Sequence, residues 1–317
     1  APMSWNRWER SIDADRVGVT TRHDGVIIAQ TQEVRSHFHG HVGLINQSEA
    51  FAPWFWGPSN PVLGDPDLTN GLVFDFARAE NAFVTYVHPL VDDADPFEAG
   101  LEGAIPLELA ADGVLEARMG LELVCAWTSP LGNAALWYRL LNIGRPVAAM
   151  SGTDAWVDFH RTPAMGTART YVRLDGAEPS VHAINAAAIA GRSFVTTGPA
   201  LEFELGEGVR PGDVIAPRAE PVPWRATLSA TMAVDVVELI VNGAVVARFD
   251  GVEAGESRTL SGEVTLPDGG WAALRAYASE RQDDAWPSMH LRPFAHTSPV
   301  WIGAVGSTEP GARAAAA

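Results

Sequence analysis

The sequence contains no lysine. All 22 of its basic residues are arginines, which excludes Schiff-base chemistry, attachment of pyridoxal phosphate and the phosphate-binding lysine of a P-loop. Cysteine occurs once, as Cys125 in the apolar run Leu121-Glu122-Leu123-Val124-Cys125-Ala126-Trp127. No intrachain disulfide can form, so cysteine usage leaves a cytoplasmic and a periplasmic or secreted location equally open. Cys125 reads as a small buried hydrophobe rather than a nucleophile. No apolar run approaches the roughly 20 residues that cross a bilayer. The opening Ala1-Pro2-Met3-Ser4-Trp5-Asn6-Arg7 lacks the charged-then-apolar pattern of a signal peptide. Positive charge is scarce overall: the formal net charge is −17, which argues against a nucleic acid or an anionic membrane as partner. Also missing are Gly-x-Ser-x-Gly, Gly-x-Gly-x-x-Gly and His-Glu-x-x-His.

What is present is an ordinary globular composition, 47% hydrophobic over 317 residues, long enough to expect two domains. The most informative stretch runs from Gln32 to Ile45. It carries Glu33 and three histidines, His37, His39 and His41, between two apolar runs. Imidazole and carboxylate clustered this closely are the usual ligands of zinc and related divalent ions, so the stretch reads as half of a hydrolytic metal centre. His37, His39 and His41 would share one face of a strand. Gly40 interrupts that strand, so all three are not expected on one metal. His88, before Pro89, and Asp154, in Gly152-Thr153-Asp154, are each weak signals alone.

Taken in order, the chain alternates. Val26–Ala29 reads as a buried strand and Val42–Ile45 as another. An aromatic, Pro-rich loop around Trp54 and Trp56 would wall a pocket or cover the end of the fold. Helices are expected at Thr69–Ala79, Leu107–Ala111, Asn133–Ile143 and Ile184–Ala190, and strands at Ala82–Val87, Leu121–Ala126 and Pro146–Met150. This alternation predicts a parallel α/β architecture whose chemistry sits at the C-terminal strand ends, where Glu33, His88 and Asp154 are expected. From Phe194 the texture changes to short alternating segments, with Asn242-Gly243 as a two-residue hairpin turn. The predicted architecture is α/β, with residues 1–193 as the metal-binding domain, 194–305 as an immunoglobulin-like antiparallel β-sandwich and 306–317 as a mobile tail.

At this point the chain resembles a known family. Gln32-Glu33, Phe38-x-Gly40-His41-x-Gly43-Leu44 and Val84-Thr85-Tyr86-Val87-His88-Pro89 are similar to CehA/McbA-type metallohydrolases of the PHP (polymerase and histidinol phosphatase) superfamily. The resemblance continues, in order, through Trp137-Tyr138-Arg139-Leu140-Leu141-Asn142-x-Gly144, Gly152-Thr153-Asp154-Ala155 and Arg169-Thr170-Tyr171-Val172. It ends in Gly191-Arg192-Ser193-Phe194-Val195-Thr196-Thr197-Gly198-Pro199 and Ala295-His296-Thr297-Ser298-Pro299-Val300. It implies a (β/α) barrel, here truncated or distorted, because the usual opening His-x-His pair has no counterpart; only His23 precedes Glu33. Trp156 stands where many PHP proteins carry a further histidine. The resemblance implies Glu33 as a metal-bridging carboxylate, His41 and His88 as imidazole ligands completing one site, and Asp154 as the ligand of a neighbouring metal. His37 and His39 match no ligand position and are candidates for the general acid or for substitute ligands.

Three protein ligands with an open position are the pattern of a catalytic zinc site, where a bound water reaches a pKa near ~7. The expected cofactor is a divalent metal, zinc first, manganese or iron as alternatives, with one firm site and a weaker second. The expected function is hydrolysis of aryl esters, carbamates or phosphoesters by metal-bound hydroxide, promiscuous across these small-molecule classes. The alternative is a non-catalytic, degenerate metal- or ligand-binding protein. An incomplete barrel leaves open strand edges, which a second copy in a homodimer, or residues Ala1 to Arg22, would cover.

Overall fold

Alternation decides which face of each N-terminal strand is buried. The protein is described here from a computed structural model, covering residues 16–36, 39–53, 55–56, 68–100, 105–116, 118–155, 163–281 and 291–316. His37, Trp54 and Trp156 lie outside these residues.

The chain opens with a hairpin, β1 (Thr20–His23) against β2 (Val26–Ala29). β2 was expected to be buried, but Val26 and Ile28 are more than half exposed, because the hairpin forms a two-stranded sheet of its own. The described part of the expected edge cover therefore pairs with β2 and not with the main sheet. The next strands are β3 (Gln32–Ser36), β4 (Val42–Ile45) and β5 (Phe55–Trp56). Helix α1 (Gly71–Glu80) leads to β6 (Phe83–Tyr86), α2 (Leu109–Leu115) to β7 (Met119–Val124), and α3 (Pro130–Asn142) to β8 (Ala148–Ser151). Together they make one six-stranded sheet in the order β5-β3-β4-β6-β7-β8.

β6, β7 and β8 are parallel, joined by crossovers that carry α2 and α3. β4 is antiparallel to both β3 and β6. The link from Ser36 to Val42 is too short for a parallel crossover, which takes a dozen or more residues. A closed (β/α) barrel is therefore not formed by the described strands, and the expected all-parallel reading gives way to a mixed, open sheet. In register across it, Val34, Val42, Tyr86, Leu121 and Ala149 form one row, each 1% exposed or less. This is the core face. The opposite row is Glu33, Gly43, Thr85, Gly120 and Ala148, small residues that leave room beside one carboxylate.

The remainder is mostly strand: β9 (Arg169–Val172), helix α4 (Val181–Ile189), β10 (Ser193–Thr196), β11 (Ala200–Leu205), β12 (Val214–Ile215), β13 (Val222–Ser229), β14 (Val234–Val241), β15 (Ala244–Val252), β16 (Ser257–Val264), β17 (Gly270–Tyr277), β18 (Phe294–Thr297) and β19 (Val300–Ile302). An eight-stranded sheet runs β12-β19-β17-β18-β10-β9, with β14 and β15 joined to it through β17. A three-stranded sheet, β11-β13-β16, packs against it over a shared core of Phe203, Leu205, Trp224, Leu239 and Leu274. The hairpin expected at Asn242-Gly243 joins β14 and β15, with both residues at positive φ (+50° and +83°), as a type I′ turn requires. The final residues, expected to be mobile, form helix α5 (Pro310–Ala316) packed near α3.

The two halves share a core. Trp137 of α3 packs against Trp271 and His296, with ring centroids 6.2 and 5.3 Å away. Asn142 Oδ1 accepts from Trp271 Nε1 at 2.8 Å. His296 is fully buried; its Nδ1 lies 2.7 Å from the Thr297 carbonyl. A carbonyl only accepts, so Nδ1 carries the proton and Nε2 accepts from the Tyr138 hydroxyl at 2.5 Å. Burial pushes the His296 pKa down to about 3, keeping the ring neutral.

Candidate metal centre

Glu33 is the second residue of β3, so it stands inside a strand rather than at its end. Opposite it is Gly43, where a Cβ would crowd Thr85 of β6 and Val87 just beyond it. His41 immediately precedes β4, and His88 follows β6 by two residues. Because β4 runs against β6, both histidines arrive at the same edge. Their donor atoms converge on one carboxylate oxygen: Glu33 Oε1 is 2.8 Å from His41 Nδ1 and 3.3 Å from His88 Nε2, and the two nitrogens are 3.2 Å apart. All three side chains are half-buried.

The triangle fits a metal. Donors bound tetrahedrally at about 2.0–2.1 Å lie roughly 3.3 Å from each other, close to the three separations observed. The donor set, two imidazoles and a carboxylate, is that of a site with an open position. Arg35, two residues along the same face, places Nε 3.4 Å from Glu33 Oε1. Burial alone would raise the Glu33 pKa. Hydrogen bonding to His41 and His88 and the charge of Arg35 outweigh it and hold the carboxyl well below the usual carboxylate range. For His88, burial favours the neutral ring, but its hydrogen bond to Glu33 and the charges of Glu33, Glu122 and Asp154 raise its pKa.

Sequence reasoning missed Glu122. It lies on β7, 5% exposed, and its Oε2 accepts the backbone N–H of His88 at 2.6 Å. His88 has φ +34°, a conformation that non-glycine residues adopt rarely and that clusters at functional sites. Burial pushes the Glu122 carboxyl up to about 8, partly countered by that N–H and by the charge of His88. The Cys125 thiol hydrogen-bonds to the same carboxyl and is pushed up by burial, which leaves it unreactive. A Cβ at residue 152 would fall on Glu122 Oε1, so any side chain there would have to displace this carboxyl. The signal was available: Glu122 is the one charged residue in the all-buried strand Met119–Val124, and an ionisable residue in such a place is rarely idle.

Asp154 is not within the converging set. It lies three residues beyond β8 at φ +50°, with its carbonyl accepting from Trp127 Nε1 at 3.3 Å, and its charge reaches His88 and Glu122. His39 also stays out of the set; its Nδ1 is 3.0 Å from Ser36 Oγ. The turn that carries it is held from beneath. Asn70 Nδ2 donates to the carbonyls of His39 and Gly40 and to the Tyr86 hydroxyl, which in turn donates to Asp112 Oδ2 at 2.6 Å. Burial raises Asp112 to about 6.

No protein-family model matches the chain, and no curated protein does. Among solved structures, it is similar to a two-domain Bacteroides vulgatus protein containing a predicted PHP-like metal-dependent phosphoesterase. The two share 13% identity over 85% of this chain and 74% of that one, with a TM-score of 0.37. It is also similar to the CARDB domain of a Pyrococcus furiosus protein, at 16% and 14% identity in two structures, one of them in complex with di-metal ions. These cover 33% of this chain and 95% and 94% of the domain, with TM-scores of 0.22 and 0.23. At these scores the likenesses carry no weight for fold or function, which rest on the geometry above.

Proposed function

We propose that this chain is a metal-dependent hydrolase whose centre is Glu33, His41 and His88. The observation that carries the reading is the donor triangle of 2.8, 3.2 and 3.3 Å between side chains from three separate segments. The two imidazoles and one carboxylate favour zinc, with manganese or iron as alternatives. A bound divalent ion would supply Lewis-acid polarisation and a nucleophile at neutral pH.

The chain's own residues do the rest. Glu33 stays ionised against His41, His88 and Arg35 and supplies the negative charge of the site. Arg35 offers a fixed cation where negative charge develops on a reacting oxygen. Glu122 fixes the His88 backbone. His39, its Nδ1 held by Ser36, is the described member of the pair His37/His39 that we assign to protonating the leaving group. The bond classes that suit this site are aryl esters, carbamates and phosphoesters, in keeping with the PHP and CehA/McbA resemblance. Asp154, outside the triangle, serves a second and weaker metal.

The test is reconstitution with zinc or manganese, elemental analysis, and hydrolysis of nitrophenyl acetate, carbamate and phosphodiester. Metal retention and turnover should both disappear in Glu33→Ala and His88→Ala. A wild-type chain that retains neither ion and turns over none of the three substrates would sink the reading.

A further inference from the structure

A cavity of about 590 Å³ lies outside the candidate metal centre: none of Glu33, His41, His88 or Asp154 lines it. Its size is that of a small-molecule site. One wall is a single row across three strands, Tyr171, Phe194 and Thr297. The Tyr171 and Phe194 rings stack at 4.9 Å and 16°, Arg169 lies over Tyr171 at 5.4 Å and donates to its hydroxyl, and Tyr171 is still 46% exposed. The remaining lining includes Arg173, Arg192, Arg210 and Arg225, four guanidiniums in a chain whose net charge is −17.

How these arginines are occupied separates them. Arg173 is engaged, donating to Asp175, to Asp213 and to the Pro211 carbonyl. Among the described residues, the Arg192 and Arg210 guanidiniums each reach only Asp175, at 3.7 Å, beyond hydrogen-bond range. Arg192 Nε is buried with no hydrogen-bond partner among the described residues. Two carboxylates, Asp175 and Asp213, thus face three guanidiniums, and among the described residues the donor forks of Arg192 and Arg210 make no hydrogen bond. A planar fork of this kind matches a carboxylate or phosphate group. Glu202 and Glu204 also line the cavity; Glu204 Oε1 accepts from the Gly208 N–H. These two carboxylates disfavour a ligand with a second anionic end.

We propose that this cavity is a binding site for a small ligand with one carboxylate or phosphate group on an uncharged planar ring, the anion held by Arg192 and Arg210 and the ring packed against the exposed edge of Tyr171. The site is separate from the hydrolytic centre and does not depend on it.

Calorimetric titration of the full chain with benzoate, phenyl phosphate and inorganic phosphate tests this. Benzoate or phenyl phosphate should bind, whichever is tighter showing whether carboxylate or phosphate is the natural group, and inorganic phosphate should bind more weakly than phenyl phosphate. Arg192→Gln and Arg210→Gln should each weaken the aromatic anions by about tenfold or more, the loss expected for one charge-assisted hydrogen bond. Tyr171→Leu should weaken phenyl phosphate and leave inorganic phosphate unchanged, and Glu33→Ala should change nothing. Should either arginine variant fail to fold, the wild-type salt dependence decides: affinity must fall as ionic strength rises. The proposal is overturned if neither aromatic anion binds at millimolar concentration. Affinity that ignores both arginines or salt overturns it too, as does binding that vanishes in Glu33→Ala.

Discussion

His88 donates its backbone N–H to Glu122 Oε2 at 2.6 Å, so the candidate ligand is held in a left-handed conformation by a residue from the adjacent strand. Glu122→Ala removes the acceptor and frees residue 88 to relax. Support of this kind is worth about 10–100-fold in metal affinity, and zinc titration of Glu122→Ala should show a loss in that range. Glu122→Gln keeps a carbonyl acceptor and should retain most of the affinity; equal losses in the two variants would remove the positioning role.

Metal binding should strengthen as pH rises. His88 has a raised pKa in the folded chain, and a ligand must shed its proton before it coordinates. Without metal the sign for stability is opposite: the gain from protonated His88 is complete below its unfolded pKa and is lost as pH rises through the folded one. Zinc binding enthalpy measured in buffers of different ionisation enthalpy should reveal proton release; an enthalpy that is the same in every buffer contradicts it.

Gly40 sits between His39 and His41 at φ +103°. A Cβ there would meet Pro106 and lie 2.8 Å from Tyr86 Cε1. Gly40→Ala should destabilise the fold by about 1–3 kcal/mol through its backbone conformation alone and displace His41, lowering metal affinity as well. Thermal unfolding and zinc titration together check this; a stable variant with intact affinity contradicts the geometry.

His296 makes the opposite pH prediction from His88. Its pKa is pushed down to about 3 by burial, so between its ordinary imidazole value and about 3 the unfolded chain binds a proton that the native chain refuses. Stability should therefore fall on acidification across that window. Tyr138→Phe strands the buried Nε2 and should cost about 1–3 kcal/mol, read from denaturant unfolding at pH 7.

Much of this was legible beforehand. Val42–Ile45 and the Asn242-Gly243 hairpin follow from local apolar period and turn chemistry; Glu33, His37, His39 and His41 stand out as a cluster by residue type, whereas His88, a weak signal alone, is singled out as a ligand only by the family resemblance. What local pattern does not carry is register and strand direction. The antiparallel course of β4, which brings His41 to the His88 edge, depends on a short link whose outcome is tertiary. The exposure of β2 depends on which strands lie behind it, and its apolar sequence is silent on that. Glu122 was readable as a charge in a buried strand, but its use, accepting from a backbone N–H, was not. Asn70 has the residue type of a helix cap, yet its amide is spent on the His39–Gly40 turn.

The core beneath the candidate centre includes Ile240, Trp271, Ala273, Phe294 and Trp301 alongside Val34, Tyr86, Leu121 and Trp137. During synthesis, which runs from the N-terminus, Trp137 emerges long before the side chains that bury it. The half of the chain that carries Glu33, His41 and His88 therefore completes its core only when its last strands emerge, and a ribosome stalled before β17 would leave the candidate centre without that part of its support.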